Sequence, residues 1–140
     1  MIDIRTAGEL LKSQNDLVIA ARIAHWNVRG QNFYETHLLF ERIYDSASDK
    51  VDTLVEVLRG LGYNPTFEEF KGPGGELPSY ACVPLIEMLT GYTTTYMAAL
   101  LRTREAVKDE KMAAGLVNLL EQLCEDATTI LYLLSAAQGR

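Results

Sequence analysis

The sequence predicts an all-α protein built as a bundle of four long helices. Three observations carry this expectation. Apolar residues recur at three- and four-residue intervals through four long segments, the spacing of one helical face. Hardly any stretch alternates in the manner of a strand. Glycine and proline, instead of being scattered, gather in one region between the second and third segments. At 140 residues the chain fits a single domain, 1–140, with a core of its own.

The first helix is expected over residues 6–27. It opens on Thr6-Ala7-Gly8-Glu9, a capping-box pattern, and its apolar stripe holds Leu10, Leu11, Leu17, Val18, Ala21 and Ala24. A short connection through Val28 and Asn32 leads to a second helix over residues 34–59, closed by Gly60 and Gly62, residues that tolerate positive φ. The long middle connection contains Asn64-Pro65 and Lys71-Gly72-Pro73-Gly74-Gly75, with a short helical turn expected at residues 66–70. The third helix starts near Pro84, which suits a first turn, and runs to residue 107. The fourth covers residues 110–137, where Ala113, Leu116, Leu120, Leu123, Ala127, Ile130, Leu134 and Ala137 form a bundle seam. Two short turns and one long middle connection suggest a four-helix bundle with a crossover of the ferritin-like type.

Composition narrows the function. The net charge is −6, with no run of lysine or arginine at either end. That disfavours tight contact with phosphate backbones and with anionic membrane surfaces. No apolar run approaches the ~20 residues of a membrane span, and residues 1–16 are too charged for a secretory signal. Cys82 and Cys124 are far apart and lie among apolar residues, so buried free thiols in a reducing cytoplasm are expected.

The residues with ligand chemistry sit in the first two helices. The chain has two histidines, His25 and His37. His37 and Glu41 are four residues apart, as are Asp52 and Glu56, so each pair shares a helix face. At about 100° per residue, the step from Glu41 to Asp52 returns to nearly the same side of a continuous helix. His37 and Asp52 would nevertheless lie about 22 Å apart along the axis, too far for one ion. If the four groups serve one kind of site, the halves must meet across two copies of the chain. A twofold antiparallel pairing of second helices accomplishes that and yields two equivalent sites. Imidazole with carboxylate suits iron, manganese or zinc.

A di-metal centre inside the bundle is not expected, because the sequence contains no Glu-x-x-His and no histidine in its third or fourth helix. Either the bundle binds no metal or it binds it elsewhere. Singly, the same residues have plainer readings. A histidine at a helix end often caps, an Asp52/Glu56 pair is often a solvated face, and Glu121 and Glu125 read the same way.

The run His25-Trp26-Asn27-Val28-Arg29-Gly30, followed by His37, Glu41, Asp52 and Glu56, resembles the Dps group, the DNA-binding proteins from starved cells or miniferritins. The likeness is sharp over residues 25–62 and loose elsewhere. It implies a bundle with a short helix in the middle connection, assembled as a hollow homo-oligomer of twelve subunits. It implies ferroxidase centres at twofold interfaces, with His25, His37 and Glu41 from one subunit and Asp52 and Glu56 from its partner. Trp26 matches a tryptophan beside that centre, thought to absorb stray oxidising equivalents; it reads equally as a core or interface aromatic. The family commonly has Asp where this chain has Glu41, which keeps the charge but moves the oxygens by about a bond length.

The activity implied is oxidation of Fe²⁺ to Fe³⁺, with hydrogen peroxide as oxidant, and storage of ferric mineral in the shell. Asp109, Glu110 and Glu121 are candidates for lining iron pores. Members that coat DNA often carry a lysine-rich tail, which residues 1–140 lack, so tight DNA binding is not expected. Two alternatives stay open at this point: a nucleoid-coating protein without oxidase activity, and a structural shell with impaired ligands.

Overall fold

In the computed structural model, which describes residues 2–140, helix α1 (Ile4–Asn27) begins ahead of the expected Thr6 start. Asp3 is the cap, its carboxylate accepting from the backbone N–H and the hydroxyl of Thr6. Glu9 does not close a box on Thr6 and instead takes a bond from Arg5, one turn earlier. Asp3-x-x-Thr6 and Thr6-x-x-Glu9 overlap by a single residue, and the earlier acceptor captured the free N–H groups.

The second expected helix is two. Helix α2 (Phe33–Ser48) and helix α3 (Val51–Gly60) meet at Asp49 and Lys50, where Lys50 leaves helical geometry with φ −111° and ψ 18°. Neither proline nor glycine stands there. Lys50 is instead drawn across the bundle to Asp126 at 2.9 Å. The middle connection contains a 3₁₀ turn at Phe67–Phe70, as expected. Helix α4 (Cys82–Val107) holds Pro84 in its first turn. The last helix opens with a 3₁₀ turn at Lys111–Ala113 before α5 (Ala114–Ala137). Among the described residues there is no strand, and no helix is long and apolar enough to cross a membrane.

Cross-links fix the directions of the helices. On α1, Glu9 and Gln14 meet Arg102 and Tyr96 of α4, and just past the end of α1 Arg29 meets Tyr80 just ahead of α4, so α1 and α4 are antiparallel. Short turns make α1–α2 and α4–α5 antiparallel as well. The segment from Leu61 to Ala81 therefore travels the length of the bundle, from beside Ile2 to beside Arg29. It crosses α1 where Gly72, at φ +85°, lies against Ile19. It is pinned near its start by the buried Glu69, whose carboxylate accepts from the Tyr63 and Thr66 hydroxyls.

The α1 stripe is wholly buried. So is the α5 seam from Ala113 to Leu134, while Ala137 is exposed. Phe40, Ile43, Leu54, Leu58, Leu89 and Leu100 fill the space between. Apolar burial at this scale supplies the main drive for folding. Polar residues inside include Ser13, Gln14, Asn15, His25, Thr93 and Thr103, and among the described residues no carboxylate other than Glu69 is buried. Cys82 and Cys124 are free but only half-buried, against the expectation of full burial: each lies at the margin of the core, where Cys82 donates to the Gln31 carbonyl.

Candidate metal centre

The turn from α1 into α2 is compressed by two left-handed residues, Gly30 at φ +100° and Asn32 at φ +65°. Glycine has no Cβ to clash there, and asparagine is among the few side chains that accept this region. The Phe33 N–H donates to the Gly30 carbonyl, and Arg29 and Cys82 tie the turn to the start of α4. The first turn of α2 is thereby folded back against the last turn of α1. His37 faces His25.

The two imidazoles stack, centroids 3.7 Å apart and planes within 14°. Nδ1 of His25 lies 2.7 Å from the His37 carbonyl oxygen, and Nδ1 of His37 lies 2.8 Å from the His25 carbonyl oxygen. A carbonyl can only accept, so Nδ1 carries the proton in both rings. In each neutral imidazole the lone pair then resides on Nε2. A backbone carbonyl holding one ring nitrogen is the usual support of a metal-binding histidine, fixing tautomer and orientation. Donor type and ring orientation both suit a metal.

The other expected residues are distributed unevenly. His25 is buried, with His37 and Glu41 half-buried on the same side of the α1–α2 hairpin. Trp26 is 70% exposed on α1 next to His25, so it is not a core aromatic of the single chain. Asp52 and Glu56 are exposed on α3, beyond the break, so the continuous-helix phase relation between Glu41 and Asp52 does not hold strictly. Among the described residues no three His, Cys, Asp or Glu side chains converge within one chain closely enough to hold an ion. Of the candidate pore acids, Asp109 and Glu110 line an open groove of about 720 Å³ between the end of α3 and the start of α5. Glu121 is paired with Arg104 on the surface.

Three residues that sequence inspection passed over surround the imidazoles. Phe33 stacks on His37 at 5.2 Å, Tyr44 stands edge-on to His25 at 5.4 Å, and the Arg22 guanidinium sits 4.9 Å from the centre of the Tyr44 ring. Their signal was spacing: Phe33 precedes His37 by one turn, and Arg22 precedes His25 by three residues.

A bundle of this topology with its long crossover is the ferritin-like architecture. The ferritin-like domain model matches residues 8–137, and the chain belongs to that family. Among known proteins it is similar to members of the Dps, or miniferritin, group. A Brevibacillus brevis protein named "DNA protection during starvation protein" is 46% identical over 41 residues, 29% of this chain and 28% of that one. The aligned part thus spans well under two thirds of that relative. Dps from Thermosynechococcus elongatus superposes with a TM-score of 0.84 at 17% identity, covering 98% of this chain and 90% of that one. Dps from Vibrio cholerae, described as one of the ferritin-like diiron-carboxylate proteins, gives 0.84 at 21%, covering 96% and 87%.

Proposed function

We propose that the protein oxidises Fe²⁺ at sites shared between two subunits and stores the ferric product inside a hollow homo-oligomeric shell. The observation that carries this reading is the reciprocal lock of His25 and His37, which leaves two Nε2 lone pairs free on preset rings. Glu41 adds an oxygen donor from the same subunit. Asp52 and Glu56 of the partner subunit complete the set, because no single chain gathers three donors among the described residues. The exposed Trp26 beside the pair fits a surface that a second copy covers.

Iron is the substrate. Two ferrous ions held close each give one electron to hydrogen peroxide. The O–O bond breaks and, with two protons taken up, two waters form alongside two Fe³⁺. Delivering both electrons together avoids release of hydroxyl radical. The chain's own part is to fix the donors and leave room for the oxidant. The twelve-subunit shell and the cytoplasmic setting belong to the same proposal, by likeness to the Dps group.

The test compares peroxide-driven iron oxidation in wild type and in the double variant His37→Ala, Asp52→Ala. Loss of most of the rate supports the assignment, and equal rates overturn it. A nucleoid-coating protein would retard duplex DNA and leave ferrous iron unoxidised.

A further inference from the structure

We infer that Tyr44, clamped by Arg22, is a positioning residue that holds the His25 imidazole in its ligating orientation. The inference rests on the metal-binding reading of His25 and His37. A single hydrogen bond fixes one ring atom and leaves the ring free to swing about it. His25 has one such bond, to the His37 carbonyl, and its stacking partner His37 has the mirror-image bond. The stacked pair can therefore still rock as a unit unless both ends are closed.

Phe33 closes one end, 5.2 Å from His37 at 28° between planes. Tyr44 closes the other, 5.4 Å from His25 at 77°, an edge-to-face contact of the kind aromatic quadrupoles favour. Tyr44 is in turn held by the Arg22 guanidinium on its ring. None of the ion pairs among the described residues involves Arg22. The order Phe33, His37, His25, Tyr44, Arg22 is a continuous array with the two ligands in the middle. Phe33, His37 and Tyr44 lie on one face of α2, since eleven residues return a helix to within about 20° of its starting direction. An aliphatic side chain at position 44 would fill space without presenting a flat edge to the imidazole.

With two histidines in the chain, ¹⁵N-histidine labelling gives two imidazoles to observe. Solid-state NMR of the metal-free assembled protein reads which nitrogen of each carries the proton, and titration with Co²⁺ alone reads affinity and ligand field. Wild type should show both rings protonated only at Nδ1. Tyr44→Leu should add a second tautomer at His25, weaken Co²⁺ binding by about tenfold, the scale set by orienting partners of metal ligands, and shift the visible Co²⁺ bands. Tyr44→Phe should restore all three. Arg22→Gln, at an exposed position, should move them the same way as Tyr44→Leu but less. A Tyr44→Leu protein with one tautomer and wild-type Co²⁺ affinity overturns the inference. If that variant does not assemble, an Arg22→Gln protein indistinguishable from wild type overturns it instead. Should wild-type Co²⁺ binding prove insensitive to His37→Ala, the metal reading fails, and the NMR comparison still decides whether Tyr44 orients His25.

Discussion

Lys50 and Asp126 meet at 2.9 Å across the bundle, at the residue where the second helical rod breaks into α2 and α3. The contact joins positions 76 residues apart in sequence. It ties the break to the middle of α5, and so sets where α3, with Asp52 and Glu56, leaves the line of α2.

Lys50→Met keeps most of the stem and removes the charge. Both partners are about one-third exposed, so solvent screening limits the loss to roughly 0.5–1 kcal/mol in urea unfolding. The hydrogen bond to Asp126 raises the Lys50 ammonium above the ordinary lysine value of 10.5. Its contribution is therefore complete below that value and disappears as pH climbs through the raised one. The gap between wild type and variant should stay constant through neutral pH and close only in strong alkali.

Glu69 gives the opposite dependence. Burial alone would raise its carboxyl, but hydrogen bonds from Thr66 and Tyr63 outweigh burial and hold it below 4.5. Burial, reinforced by the bond to Glu69, pushes the Tyr63 hydroxyl up to about 12. A depressed carboxyl stabilises above its unfolded value and loses that contribution as pH falls through the folded one. Glu69→Gln should cost about 1–3 kcal/mol near neutrality, the range for disturbing a buried hydrogen-bonded group, and progressively less below pH 4.5. Thermal melts across that range check it.

Gly72→Ala should destabilise. At φ +85° an L side chain costs about 1–2 kcal/mol, and the new Cβ would stand 3.1 Å from two carbons of Ile19. Chemical denaturation should register at least the conformational part. Limited proteolysis should cut the crossover faster.

Duplex DNA should not be retarded by the protein at about 0.15 M salt, since a net charge of −6 per chain opposes counterion release. A clear gel shift at that ionic strength contradicts this.

Much of the scaffold was legible because burial repeats at the helical period. Leu116, Leu120, Leu123, Ala127, Ile130 and Leu134 announce α5 without any tertiary information, and Gly60 and Gly62 mark the end of α3. The break at Lys50 was not legible, because its tether is a distant ion pair and no local residue signals it. The start of α1 was placed two residues late, because Asp3 supplies the cap in place of the Thr6–Glu9 box. At the candidate site, the expected helix bounds put His25 and His37 on either side of one short turn. Spacing could not reveal that each ring donates to the other's backbone, since that depends on the dihedral angles of Gly30 and Asn32. Tyr44 and Arg22 escaped notice because neither carries a ligand atom for iron.

The histidine lock has a kinetic corollary. Its two members are separated by 12 residues within one hairpin, so closing that loop costs little chain entropy. Contacts of such short range are available to a polypeptide early, before distant segments must find each other. The imidazole half of the proposed pocket can therefore be shaped while the second half of the polypeptide is still unstructured, and in that proposal association with another copy finishes it.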